Sequence, residues 1–168
     1  MITDKNFCIE LLKDIIKHAF QTETLYFEPP YKEVLNVPFE IAHIMWPNYS
    51  ATDSRLIPSV KTPERRFFVI KTNLEFYYIL IFLNLEIRPD LISIGPFRSD
   101  DLPIKDFEKD FENADFATTT LLHLKNYYEN LPCVSLKNII NTVSYIINSY
   151  LPHSQNLLPI YVDFEKWD

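Results

Sequence analysis

Glycine is almost missing from this chain, since its 168 residues include only one, Gly95. Average usage is about 7%. The phosphate-binding loops of the dinucleotide and Walker types and the Gly-x-Ser-x-Gly nucleophile elbow each require at least two glycines. The sequence therefore excludes these three kinds of site. Turns are expected to use Pro, Asn and Asp, whose backbone dihedrals suit them.

Clusters of metal ligands are also missing. Cys8 and Cys133 lie far apart without metal-ligand spacing, so we predict two buried, reduced thiols. No two histidines form a His-x-x-x-His or His-Glu-x-x-His pair. The four histidines are His18, His43, His123 and His153. We therefore predict no metal site, no cofactor and no catalytic residues, and we expect that the protein is not an enzyme.

Long apolar runs and an excess of positive charge are absent as well. The longest strongly apolar run, from Phe76 to Leu83, is far shorter than the ~20 residues of a membrane-spanning helix. Acidic residues interrupt the first twenty residues, which is not typical of a signal peptide. We therefore expect a cytoplasmic protein with no membrane partner. A net charge of −7 also argues against direct binding to a phosphate backbone.

What the chain does contain favours one folded domain spanning residues 1–168. Its hydrophobic content of 47% and aromatic content of 15% are typical of a packed core. Apolar residues at helical spacing follow Thr3 or Asp4, either of which can cap an N-terminal helix. Six prolines interrupt residues 25–65, where we expect short strands and loops.

Three consecutive strands are predicted next. Residues 67–72 and 75–84 are rich in aromatic and β-branched residues and indicate a hairpin. The second of these strands is apolar on both faces, which favours the middle of a sheet covered on both sides. Residues 91–97 are its expected neighbour, with Gly95 allowing close packing and Pro96 ending the strand. The result would be an antiparallel meander.

The rest of the chain has helical periodicity. Apolar spacing predicts one helix across Phe107 and Ala114, a second across Leu121 and Tyr128, and a third over 136–150 with Ser135 as its cap. We therefore predict an α+β fold. Its central antiparallel sheet would have about five or six strands, flanked by the N-terminal helix and the C-terminal helices.

Three segments together resemble a known family. They are 76-FYYILIFLN-84, 91-LISIGPFRSD-100 and 126-NYYENLPCVS-135. In order and spacing they are similar to the N-terminal effector-sensing domain of a subset of AraC-type transcriptional regulators of bacteria. The resemblance covers roughly residues 65–151 and implies a GAF- or PAS-like sensor fold.

The resemblance also implies a function. A small-molecule effector, as yet unknown, would bind this regulatory domain and control an attached helix-turn-helix domain. The domain would form a homodimer and would contact DNA only through that other domain. No helix-turn-helix follows Asp168, so we expect either an excised fragment or a free-standing relative, and DNA binding is implied only for a parent protein. The alternative is a non-catalytic protein-interaction or dimerisation module that uses helix 136–151 or the acidic helix as its binding face.

Six side chains are candidates for ligand binding. Residues 43–58 form a loop-prone segment before the sheet, where sensor domains commonly close their pocket. Tyr77 and Tyr78 point to opposite faces of the predicted central strand, so one of them could offer a hydroxyl to a cavity. The competing interpretations are that Trp46 fills the edge of the core, that His43 is a satisfied polar residue, and that Tyr77 and Tyr78 are ordinary core aromatics. The candidates are His43, Trp46, Tyr49, Arg55, Tyr77 and Tyr78.

Acidic residues are concentrated in one window. Residues 99–115 hold seven acidic side chains and two lysines, a net charge of −5. Two like-charged pairs one helical turn apart, Asp106 with Asp110 and Glu108 with Glu112, cost a few tenths of a kcal/mol each. We interpret the window as a solvated helix face, with a contact to a basic partner or a cation site as the alternatives.

Overall fold

The helices and strands of the chain alternate in a way that brings distant segments into one sheet. A computed structural model describes residues 2–28, 66–72, 74–83, 90–112, 118–150 and 157–163. The elements are α1 Ile2–Phe20, β1 Thr24–Phe27, β2 Arg66–Lys71, β3 Tyr77–Leu83, β4 Asp90–Ser99, α2 Phe107–Asp110, α3 Thr118–Glu129, β5 Cys133–Val134, α4 Leu136–Tyr150 and β6 Ile160–Asp163.

The described strands form one mixed sheet in the order β1-β4-β3-β2-β6, with β5 beside the end of β4. The meander of β2, β3 and β4 is antiparallel, as predicted. The expectation of a purely antiparallel sheet is wrong, because β6 pairs parallel to β2 and β5 pairs parallel to β4. Each of these parallel strands follows a helix, and helical crossovers are the usual way in which two parallel strands are joined.

Strand β3 lies at the centre of the sheet, which confirms the prediction made from its apolar pattern. Tyr77, Ile79 and Ile81 face one hydrophobic cluster, and the alternate residues Tyr78 and Leu80 face the other. Side chains alternate between the faces of a strand, so a strand covered on both sides needs apolar residues at every position. Full burial of each aliphatic side chain contributes about 1.5–3 kcal/mol.

Helices cover both faces of the sheet. Helices α1 and α4 pack against each other and against the face that carries Ile79. Helices α2 and α3 supply Phe107, Leu124 and Tyr128 to the other face. Ser135 caps α4 as predicted, since the Asn138 backbone N–H donates to its hydroxyl oxygen at 3.3 Å. The α+β class is therefore confirmed.

A bulge interrupts β4 at Gly95. The pairing with β3 shifts there, between Tyr77 and Ile79. Gly95 has φ of +131°, and a Cβ at this position would lie 2.9 Å from the Tyr77 carbonyl oxygen. Pro96 does not end the strand, contrary to our prediction. It has no N–H to donate, but it lies in the bulge, where no pairing with β3 is needed, and pairing resumes at Phe97.

Three further predictions need correction. Helix α1 begins at Ile2, before either predicted cap. Helix α2 has only four residues, and Asp106 caps it by accepting a hydrogen bond from the Lys109 backbone N–H at 3.2 Å. Cys133 is exposed rather than buried, since alternation along β5 turns Val134 into the core and Cys133 outward. Cys8 is buried, as predicted.

Candidate functional site

The three segments that carry the family resemblance meet in one place. Strand β3 and the residues before it contact α3, where the rings of Phe76 and Tyr127 lie 6.0 Å apart. Strand β4 contacts the end of the same helix and the turn after it through Arg98. The backbone N–H of Arg98 also donates to the Pro132 carbonyl oxygen at 2.7 Å, next to the β4–β5 pairing. We call this junction of β3, β4, α3 and β5 the motif junction.

Two buried phenols lie at the motif junction. Tyr78 is fully buried on the central strand, and Tyr127 faces it from α3. Burial raises the pKa of Tyr127 to about 12, and hydrogen bonding from the Tyr78 side chain lowers it in part. Within the described residues, the Tyr127 hydroxyl is buried yet meets no group at full hydrogen-bond geometry, so its interaction with Tyr78 is a weak one. A buried hydroxyl without a full partner costs about 1–3 kcal/mol.

A half-buried arginine, Arg98, also lies at the motif junction. The Arg98 guanidinium carbon is 5.1 Å from the centre of the Tyr128 ring, and one terminal nitrogen donates to the Leu131 carbonyl oxygen at 3.4 Å. Its Nε atom is buried and has no hydrogen-bond partner in the described part of the chain. Stacking of this kind contributes about 0.5–2 kcal/mol. Arg98 therefore joins β4 to the end of α3, and its Nε–H donates no hydrogen bond within the described residues.

An open pocket of about 230 Å³ lies on the outer side of the junction. Phe107 lies at this pocket and packs edge-on against Tyr128, with the ring centres 4.9 Å apart. The lysines on the pocket are paired with acidic residues, Lys105 with Asp110 at 3.0 Å among them. The remaining lining residues are Ile104, Asp106, Glu108, Lys125 and Glu129.

Two acidic residues of the acidic window, Asp106 and Glu108, line this pocket. The side chains of Asp106, Glu108 and Asp110 are exposed, as predicted for a solvated helix face. Lys125 of α3 reaches Glu108 at 3.8 Å, so the window is partly neutralised by the neighbouring helix.

The predicted ligand-binding residues have two different outcomes. Tyr77 and Tyr78 lie on opposite faces of β3, as predicted, and therefore cannot line the same pocket. The pKa of Tyr77 is raised by its burial and then by the charges of Asp101, Asp163 and Glu75. The other four candidates, His43, Trp46, Tyr49 and Arg55, lie outside the described residues.

Sequence reasoning did not single out Arg98 or Tyr127 as site residues. Both lie within the segments that carried the resemblance, and that membership was the available signal. Their contacts join strand β4 to a helix about thirty residues later, and Tyr127 to a strand about fifty residues earlier. Local periodicity does not report pairings at such separations.

Two negative findings limit the chemistry of the described residues. Among them, no group of three or more His, Cys, Asp or Glu side chains could hold a metal ion. In the same part of the chain, no helix has the length and apolar character needed to cross a membrane.

Comparisons with protein-family models, with curated proteins and with solved structures found no match for this chain. The motif junction must therefore be interpreted from its own geometry.

Proposed function

We propose that this chain is a ligand-sensing regulatory domain of the AraC type, with a GAF- or PAS-like fold, that controls an attached helix-turn-helix domain. One observation carries the proposal. The three segments on which the resemblance rests contact one another at the motif junction, although they are well separated along the chain. A motif that is gathered into one place is more informative than one whose parts are spread over the surface.

The mechanism of such a sensor would be a population shift. Tyr78, Tyr127 and Arg98 lie where the central strand, β4 and α3 meet. Each brings a polar group to this apolar region, a phenolic hydroxyl in the two tyrosines and a guanidinium in Arg98. A small molecule that binds near them with different affinity in two arrangements of α3 would favour one arrangement. The effector class remains open between a sugar, an aromatic acid and a short peptide.

Ligand binding can be tested by thermal shift with a pair of matched variants. A ligand at a hundred times its dissociation constant stabilises the folded state by about 2.7 kcal/mol. Panels of sugars, aromatic acids and short peptides would be screened against the native chain, Tyr77→Phe and Tyr78→Phe. Each variant removes one phenolic oxygen, and the two oxygens lie on opposite faces of β3.

We expect a hit whose stabilisation is reduced by Tyr78→Phe and retained by Tyr77→Phe. Equal retention in both variants would place the ligand away from the motif junction. The absence of any hit, together with a native reading frame that does not encode two helix-turn-helix units after Asp168, would contradict the sensor proposal.

The alternative is a non-catalytic interaction module, and a specific observation favours keeping it. Several large apolar side chains on α4 and around β6 are exposed, among them Tyr145 and Tyr161. A sensor that acts as a homodimer would also need such a surface, so the two proposals share this feature. Retained binding of a partner protein without any small-molecule response would favour the interaction module.

A further inference from the structure

Residues 157–163, which include β6, have no fully buried side chain. Leu158, Ile160 and Tyr161 are exposed, and the other four residues are half-buried. Residues 77–82 of β3, by contrast, are all buried. Segments with few buried apolar contacts open locally at a lower free energy than the core does. We call residues 157–163 the strap.

One side chain of α4 holds the start of the strap. The Asn148 side-chain oxygen accepts a hydrogen bond from the Leu157 backbone N–H at 2.7 Å, and the Asn148 amide nitrogen donates to the Leu157 carbonyl oxygen at 3.2 Å. The same nitrogen donates to the Ser144 hydroxyl oxygen at 3.2 Å. A side-chain amide offers one acceptor and two donor hydrogens. Asn148 therefore binds both backbone groups of Leu157, as a neighbouring strand would.

The contact between Asn148 and Leu157 is accessible to solvent. Asn148 is half-buried and lines an open depression of about 470 Å³ on α4. Water in this depression can hydrogen-bond the Asn148 amide and the Leu157 backbone when the two separate, so that neither is left buried without a partner. The contact can therefore break and form again without unfolding α4.

The docked strap contacts both sides of the sheet. Leu157 packs against the hydrophobic cluster under α1 and α4, and Val162 packs against the cluster that contains Tyr78. No residue of the strap is among the buried members of either cluster. Strands β2, β3 and β4 pair with one another independently of β6. The meander and both clusters would therefore remain if the strap were released.

We infer that the strap is a conformational switch. Residues 157–163 undock from β2 and dock again while the rest of the sheet stays folded, and the Asn148 amide sets the balance between the two states. The pairing to be broken is only four residue pairs long and parallel, and parallel pairing is slightly less stable per residue than antiparallel pairing. The inference rests on burial and hydrogen bonding and does not depend on ligand sensing.

Release of the strap changes what β2 presents. In the docked state β2 lies between β3 and β6. When β6 leaves, β2 becomes an edge strand, with backbone N–H and C=O groups that can pair with another strand. Half-buried Phe68, which lies opposite Ile160, also loses its neighbour. The switch therefore opens and closes one edge of the sheet.

The first test is hydrogen exchange of the native chain at several low urea concentrations, measured by mass spectrometry on peptides from the strap and from β3. We expect protection of the strap to be at least about tenfold lower than that of β3. Urea should hardly change exchange in the strap, because local opening exposes little surface, whereas exchange in β3 should rise steeply. Equal protection and equal urea dependence would overturn the inference. Exchange of the strap at the rate of an unfolded chain would also overturn it, because such a strap does not dock.

Three variants then test the role of Asn148. Asn148→Ala should speed exchange in the strap by about five- to a hundredfold, as expected for the loss of two hydrogen bonds. Asn141→Ala is the matched control, because Asn141 is exposed two helical turns earlier and lines the same depression, and it should leave the strap unchanged. Ile92→Val shortens a fully buried side chain on β4, which does not pair with β6. It should speed exchange in β3 by about two- to tenfold and leave the strap unchanged.

The variants separate local opening from unfolding of the whole domain. If the strap exchanged only through global unfolding, Ile92→Val would speed exchange in the strap and in β3 equally, and this result would overturn the inference. An unchanged strap in Asn148→Ala, or an equal effect of Asn141→Ala, would overturn it as well. The native chain and Ile92→Val decide the question of local opening even if Asn148→Ala does not fold.

Discussion

Replacement of Gly95 by alanine should destabilise the fold more than any other single-methyl change in β4. The backbone at Gly95 has φ of +131°, a region that costs a residue with a Cβ about 1–3 kcal/mol. The new Cβ would also lie 2.9 Å from the Tyr77 carbonyl oxygen and 3.1 Å from Cδ1 of Tyr78. The carbonyl belongs to the central strand and cannot retreat freely, so overpacking adds about 1–3 kcal/mol.

The unfolded chain offsets part of this cost. Alanine has fewer unfolded conformations than glycine, which favours folding by about 0.4–1 kcal/mol. The net loss for Gly95→Ala is therefore about 1–5.5 kcal/mol. For a urea slope of about 2 kcal/mol per molar, the unfolding midpoint should fall by about 0.5–2.8 M.

The assay is urea unfolding of Gly95→Ala beside the native chain, followed by fluorescence and circular dichroism. Ser149→Ala is the control, because Ser149 is exposed on α4 and its replacement should stay within about 0.5 kcal/mol of the native chain. A loss below about 1 kcal/mol for Gly95→Ala, with an unchanged slope, would refute the argument that the bulge needs a residue without a side chain.

Three other predictions concern the motif junction and the thiols. Tyr127→Phe should raise the free energy of unfolding by about 1–3 kcal/mol at neutral pH, because it removes a buried hydroxyl that lacks a full partner. The native chain should lose more stability than this variant between about pH 10 and 12, because the folded-state pKa of Tyr127 lies above its unfolded value. Cys8 and Tyr77, whose pKa values are also raised by burial, should contribute equally to both profiles. An identical pH profile in the two proteins would contradict this prediction. Arg98→Lys should cost about 1–2 kcal/mol in urea unfolding, because lysine stacks less well on Tyr128, and a neutral result would mean that the stack is unimportant. A thiol reagent should label one cysteine per folded chain, Cys133, because Cys8 is buried and burial raises its pKa to about 11; labelling of both before unfolding would disprove this assignment.

The sequence was most informative where a pattern was continuous and local. The apolar run of β3 has no polar face, and it correctly predicted the middle of a sheet with both faces covered. The meander followed from strands that are neighbours along the chain. Helix α4 was predicted with its cap at Ser135, since its apolar residues recur at helical spacing over four turns.

The sequence was least informative where structure depends on distant residues. Strand β6 has only four residues, of which two are exposed and two are half-buried, and it does not alternate between apolar and polar residues as a half-buried strand usually does. It forms because β2, far away in the chain, offers it an edge. The same holds for the motif junction, where Arg98 meets Tyr128 only after β4 and α3 have packed. Four of the six predicted ligand-binding residues fall outside the described part of the chain, so their role stays a prediction.

The order of strands in the sheet has a consequence for how the chain folds. The three central strands are neighbours in sequence, whereas both outer strands pair across long separations, Thr24 with Ile94 and Phe68 with Ile160. Contacts between distant residues slow folding because a long loop must close before they form. We therefore expect the meander to assemble first as a folding nucleus and the two outer strands to dock last. Destabilising substitutions in β6 should then speed unfolding while leaving the folding rate nearly unchanged.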